Sequence, residues 1–171
     1  MGSNNTSIKY AGVVSIEFPN RRVVCNNNGS GVLFDVLSRF MAKQSVSVKE
    51  LPGYIMIYKA NKNEILSRPN TSDSIYPSVE LLVRMIPVTA GVERNGRGES
   101  TILYTVSLKN DDFKFGTSVT STDSVCLALI SSDTNTILAV TELTDSVSTI
   151  QAIQQGMHAN VRWQLSFENS N

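Results

Sequence analysis

The residues of this chain that could do chemistry are few and widely separated. A single histidine, His158, precedes the last apolar stretch, and the two cysteines, Cys25 and Cys126, each lie among apolar neighbours. Thiols in apolar surroundings have raised pKa values and react poorly, and one histidine cannot supply a multi-histidine metal site. We therefore expect His158 to be a turn or edge residue. We expect the cysteines to be buried free thiols rather than a disulfide or part of a catalytic pair.

Three short polar motifs could form a nucleophile, phosphate or cation site. The sequence Gly29-Ser30-Gly31 lacks the spacing of a serine nucleophile elbow, and the glycines of Gly91–Ser100 match no phosphate-loop pattern. Asp111 and Asp112 could ligate Ca²⁺, but the EF-hand spacing is missing and such runs are usually turns. Two carboxylates facing one another across a cleft, as in glycoside hydrolysis, stay open because sequence does not place them. We predict no catalytic residue, no cofactor, no metal site and no enzyme.

Composition indicates a protein rich in strands and turns, without a charge bias. Hydrophobic residues make up 41% of the chain and charged residues 18%, and Lys plus Arg (15) balances Asp plus Glu (15). A neutral chain lacks the positive excess of a nucleic-acid binder. No apolar run reaches the length of a membrane span, and Met1 to Thr6 lacks a signal-peptide pattern. We expect neither a nucleic-acid nor a membrane partner.

The apolar pattern predicts about eight strands separated by turns. The predicted strands are Ile8–Phe18, Arg21–Cys25, Tyr54–Tyr58, Leu81–Val88, Thr101–Leu108, Val125–Ile130, Thr136–Leu143 and Val161–Phe167. Val125–Ile130 is apolar on both faces, which predicts a central place in a sheet. Along the last strand, Trp163 and its apolar neighbours alternate with polar residues, so a slip of one residue would expose the tryptophan.

One helix is predicted over residues 31–44, and we expect it to pack on a sheet. Its apolar residues recur at helical spacing: Leu33, Val36, Leu37, Phe40 and Met41. The stretches Ser67–Ser78 and Gly91–Ser100 are predicted to be an exposed loop and a mobile hairpin tip, where partner contacts usually lie. Together these elements predict one mainly β domain over residues 1–171, an antiparallel β-sandwich with one packed helix.

The second half of the chain resembles a known family. Three segments carry the resemblance: Thr101–Leu108 followed by Asn110–Phe113, the hairpin of Val125–Ile130 and Thr136–Thr141, and the closing tryptophan strand Val161–Asn169. In this order they resemble the C-terminal region of minor structural proteins of tailed bacteriophages, of the tail, collar or fibre-associated kind. The chain differs at Leu127–Ile130, where that family often carries Glu-x-Gly-Leu. The resemblance implies a virion component without catalytic residues, which assembles in copies with other virion proteins.

Two other functions are compatible with the same pattern. An RNA-virus matrix-like protein would share the size and the β content, and would bind anionic membranes or RNA in a salt-sensitive way. A carbohydrate-binding or carbohydrate-hydrolysing β-sandwich would present exposed aromatic residues around a groove, whereas the single tryptophan, Trp163, is predicted to be buried. The sequence therefore predicts a bacteriophage virion protein that acts through protein–protein assembly, with these two functions as alternatives.

Overall fold

Two antiparallel sheets face each other in the computed structural model, which describes residues 7–27, 31–66, 79–94, 96 and 100–170. Sheet A has the strand order β2-β1-β9-β6-β5, and sheet B has the order β4-β3-β7-β8. The strands are β1 (Ser7–Glu17), β2 (Arg22–Asn27), β3 (Pro52–Lys59), β4 (Glu80–Pro87), β5 (Thr89–Arg94), β6 (Ser100–Leu108), β7 (Cys126–Ser131), β8 (Ile137–Glu142) and β9 (Ala159–Ser170). All eight predicted strands are present, and β5 is an additional one.

The helices depart from the prediction of a single helix over residues 31–44. Three are described, α1 (Gly31–Met41), α2 (Lys62–Leu66) and α3 (Ser146–Gln154). α1 ends early because Lys43 adopts a left-handed backbone conformation, with φ of 55°. Sequence reasoning missed α3 because its few apolar residues are interspersed with serine, threonine and glutamine.

The apolar stripe of α1 is buried over its first two turns and exposed at Phe40. Leu33, Val36 and Leu37 are buried, as predicted, but Phe40 is 64% exposed. The expectation that Phe40 packs on a sheet is therefore wrong. The side chain of Met41 lies outside the described part of the chain.

The main core lies between the two sheets and is organised by the register of sheet A. Val14 of β1 is paired with Trp163 of β9, and Trp163 is paired with Tyr104 of β6. Trp163 is fully buried, which confirms the register predicted for the closing strand. Cys25 of β2 lies in this core.

A second apolar cluster covers the opposite face of sheet B. It contains Met56 and Tyr58 of β3, Cys126 and Ala128 of β7, and Ile65 of α2. Sheet B is therefore buried on both faces. This explains why every residue of β7 is buried, as its continuous apolar sequence predicted. The two cysteines are free and buried, also as predicted, and they lie in separate clusters.

The chain passes from one sheet to the other between β4 and β5, at Pro87 and Val88. The amide of Val88 donates a hydrogen bond to the carbonyl of Gly53 at 3.0 Å. A Cβ atom on Gly53 would lie 2.6 Å from Cα of Ser132, so only glycine fits at this crossing. The crossing places β5 at the outer edge of sheet A. No helix in the described residues is long and apolar enough to cross a membrane.

Candidate assembly interface

β5 is the most exposed strand among those whose burial the structure describes in full. All six of its residues are exposed, and its register with β6 is unbroken from Thr89 opposite Thr105 to Arg94 opposite Ser100. Because β5 ends the strand order of sheet A, its second backbone edge has no partner strand in the described chain. The prediction of a mobile tip over Gly91–Ser100 is corrected for residues 91–94, which are strand. Val92 is their only apolar residue, so the sequence shows no strand alternation there.

The edge of sheet B formed by β4 is closed by a distant segment of the chain. Phe113 forms a β-bridge with Val83, and the amide of Lys114 donates to the carbonyl of Leu82 at 3.0 Å. The strand is also irregular. Its register with β3 shifts twice, and Met85 has φ of 27°. Both features hinder the addition of another strand at this edge.

The two remaining sheet edges each receive contacts from other parts of the chain. At β2, the hydroxyl of Thr144 donates to the carbonyl of Val24 at 3.4 Å. At β8, the helices α1 and α2 and the strand β2 pack against the strand, and the amide of Lys62 donates to a carboxylate oxygen of Glu142 at 3.3 Å. Within the part that the structure describes, β5 is therefore the edge strand whose residues are all exposed, whereas β2, β4 and β8 each receive a contact from another segment.

An apolar row of sheet A runs out to this open edge. Leu165 of β9 is paired with Ile102 of β6, and Ile102 is paired with Val92 of β5. Leu165 belongs to the main core and Ile102 packs against it, whereas Val92 is 68% exposed. The row thus ends in a solvent-exposed valine on the face that is buried elsewhere in the sheet.

The charge of Glu93 is compensated within sheet A. Arg162 Nη2 lies 2.7 Å from Glu93 Oε1, and Gln164 Nε2 donates to Glu93 Oε2 at 3.4 Å. Arg162 Nε also lies 3.7 Å from Glu17 Oε1. Such exposed pairs contribute little to stability. They do leave the open edge without a free carboxylate at position 93 to repel an approaching strand.

A second exposed feature lies beside the closed edge. Phe115 is fully exposed, and it is followed by Gly116, whose φ of 78° makes the turn. Phe115 lines a cleft of 490 Å³ together with Tyr58, Arg84 and Lys114. An exposed aromatic ring beside charged side chains can contact either a protein side chain or a sugar ring.

The residues singled out for chemistry do not meet in this structure. His158 is exposed in the segment before β9, while both cysteines are buried. Burial raises the pKa of Cys126 to about 12, which keeps that thiol protonated and unreactive. An exposed imidazole and buried thiols do not form a nucleophile–base pair. Ser30 and the loop Ser67–Ser78 lie outside the described residues.

The Asp111–Asp112 motif forms a turn of the chain. Residues Asn110–Asp112 make a 3-10 turn, and the carboxylate of Asp112 accepts a hydrogen bond from the amide of Lys109 at 2.9 Å. Asp111 is exposed. In the described ranges, no three Asp, Glu, His or Cys side chains are grouped so that they could hold a metal ion. The motif therefore caps its own turn.

Three pairs of described carboxylates share a cation. The pKa of Glu50 is lowered because Arg39 donates a hydrogen bond to its carboxylate. The pKa of Asp123 is lowered because the backbone and the side chain of Thr120 donate to it. A lowered pKa keeps a carboxylate ionised, whereas the general acid of a glycosidase needs a raised one. The three groups are Asp35–Arg39–Glu50, Glu80–Lys59–Asp123 and Glu17–Arg162–Glu93.

Comparison with protein-family models, with curated proteins and with solved structures finds no match to this chain. Its function must therefore be inferred from the open edge of β5, from the exposed Phe115 and from the resemblance of its C-terminal segments. Of these features, the open edge is the one that involves a whole structural element.

Proposed function

We propose that this chain is a bacteriophage virion protein of the tail, neck or fibre-associated kind, and that it acts by assembling with copies of itself and with other virion proteins. The observation that carries the proposal is the open edge of β5. An open edge presents a row of unpaired N–H and C=O groups that another strand can satisfy. In the described chain the other three edge strands, β2, β4 and β8, each receive contacts from other segments.

Charge also favours assembly between copies. The chain carries 15 basic and 15 acidic residues, so identical copies do not repel each other over a distance. The compensation of Glu93 by Arg162 extends this balance to the edge itself. Approach of a second protein is then limited by shape and hydrogen bonding rather than by charge.

The phage part of the proposal rests on the sequence resemblance. Its segments coincide with β6, the hairpin β7–β8 and β9, and β6 is the strand that holds β5 in place. If those segments form the common scaffold of such proteins, β5 is an addition to it that offers a contact surface. Localisation in the virion follows from the same proposal.

Purified particles provide the test of this function. We expect quantitative mass spectrometry of particles purified from lysates to find the chain in several copies per particle. A chain that is abundant in the lysate but absent from purified particles would contradict the proposal. Comparing lysates with and without particle production identifies host proteins that co-purify by chance.

Carbohydrate binding is a second candidate, and the exposed Phe115 favours it. The ring lines a cleft with Arg84 and Lys114, and aromatic faces beside polar groups suit sugar rings. Trp163, by contrast, is fully buried and cannot serve as such a platform. A glycan array should show binding by the wild type and its loss in Phe115→Ala. No binding by either protein excludes this candidate.

A further inference from the structure

We propose that β5 pairs antiparallel with β5 of a second copy about a two-fold axis, which joins two five-stranded sheets edge to edge. This inference rests on the proposed function and names its partner as another copy of the same chain. A two-fold contact is the simplest closed assembly, because one surface patch satisfies both copies. The antiparallel arrangement aligns the same edge with itself, so the donors and acceptors of both copies are paired.

The regularity of β5 makes it a suitable partner for itself. The strand has six residues in unbroken register with β6, without the proline, the bulge or the register shift that protects other natural edges. Gly91 has no side chain and Ala90 carries only a methyl group, so neither residue obstructs an incoming strand. The compensated Glu93 leaves no unpaired carboxylate in the way.

The side chains favour a register centred on Val92. Residues opposite each other across such an axis lie on the same face, so Val92 would lie against Val92 of the second copy. The two 68% exposed valines would then cover each other and continue the apolar row of Leu165 and Ile102. In this register Glu93 lies opposite Gly91 of the second copy. A register centred on Glu93 would instead oppose two carboxylates, which is unfavourable.

The contact is small, and its size decides how it must be measured. Standard protein interfaces bury about 1,200–2,000 Å², and a six-residue strand edge falls below that range. We therefore expect weak and reversible association of the free protein. Many copies held together in a particle would strengthen it through effective concentration. Covalent capture is the appropriate assay for such a contact.

Disulfide capture at Val92 tests the pairing directly. Opposed Cα atoms of an antiparallel pair are about 4.5 or 5.5 Å apart, within the range of about 4.4–6.8 Å that a disulfide needs. Both native cysteines are buried, so the introduced thiol is the accessible one. The matched control is Phe115→Cys, at a fully exposed position away from β5. Under mild oxidation we expect Val92→Cys to form a reducible dimer at least about tenfold faster than Phe115→Cys, because pairing raises the effective concentration.

Equal rates of dimer formation in the two variants would overturn the inference, provided that both unfold thermally like the wild type. The particle measurement decides the proposed function separately. If Val92→Cys does not form the dimer but the chain is found in particles, assembly uses another surface and only the pairing fails. If the dimer forms but the chain is absent from particles, the pairing stands and the proposed function fails.

Discussion

β4 and β5 are consecutive strands joined at Pro87 and Val88, yet the outer edge of β4 is bridged by another segment and the outer edge of β5 is exposed. The edge of β4 receives a bridge from Phe113 and a hydrogen bond from Lys114, and its backbone is irregular. The edge of β5 is regular and exposed along its whole length. A chain that can close one edge with a loop has left the next edge open. An open edge is a template for pairing with another chain, which is the basis of the proposed assembly.

The largest difference in stability is expected between substitutions of two aromatic residues beside the β4 edge. Phe113 is buried and Phe115 is fully exposed, although they are two positions apart. We expect Phe113→Ala to lower the free energy of unfolding by about 3–5 kcal/mol, through the loss of packing and the cavity left behind. Phe115→Ala should change it by less than about 0.5 kcal/mol. Chemical denaturation measures both, and equal small losses would show that Phe113 does not hold the β4 edge.

The next contrast in stability is between substitutions of two glycines, Gly53 of β3 and Gly91 of β5. A Cβ on Gly53 would clash with the backbone of Ser132, while a Cβ on Gly91 would meet nothing within 4 Å. Gly53→Ala should therefore destabilise the protein by about 1–3 kcal/mol. Gly91→Ala should stabilise it by about 0.4–1 kcal/mol, because it reduces the freedom of the unfolded chain. A destabilising Gly91→Ala, seen in thermal or chemical unfolding, would contradict the open space at β5.

A lysine at the open edge should separate assembly from stability. Val92→Lys places a charge where two copies would meet, which is a common natural device against edge pairing. We expect association of the free protein to weaken by at least about tenfold, equivalent to about 1.4 kcal/mol. The free energy of unfolding of the monomer should change by less than about 0.5 kcal/mol. Analytical ultracentrifugation over a concentration series measures the first quantity. Unaltered association would exclude Val92 from the contact.

The smallest effect is expected in the pH dependence of stability, at Asp123 in the loop between Lys114 and β7. The pKa of Asp123 is lowered below its ordinary value by hydrogen bonds from Thr120. Its stabilising contribution is complete above that ordinary value and is lost as the pH falls through the lowered pKa of the folded state. Asp123→Asn should therefore flatten the acid limb of the stability curve, while the exposed Asp111→Asn serves as its control. Identical acid limbs in wild type and Asp123→Asn would show that these hydrogen bonds do not contribute.

The local sequence pattern predicted which residues are buried where apolar residues recur with a simple period. The alternation around Trp163 and the continuous apolar run of β7 predicted buried positions that the structure confirms. The pattern failed at β5, where Val92 stands alone among polar and small residues. There the strand is imposed by pairing with β6 rather than by its own composition.

Closure of the sheet edges could not be predicted from sequence. The hydroxyl of Thr144 reaches the carbonyl of Val24 across 120 residues of chain, and Lys114 reaches Leu82 from a loop without a periodic pattern. Such contacts depend on where distant segments meet in the folded state. In the sequence, the candidate interface was therefore visible only as a polar stretch. The feature that defines it is the lack of a partner strand at the outer edge of β5 in the described chain.

Hydrogen exchange of the backbone amides at two protein concentrations tests most directly whether copies meet at β5. We expect amides within Thr89–Arg94 to exchange faster in dilute protein than in concentrated protein, since pairing with a second copy protects them. The amide of Lys114, which bonds within the chain to Leu82, should be equally protected at both concentrations. If exchange in β5 does not depend on concentration while protection appears elsewhere, the open edge is not the assembly surface.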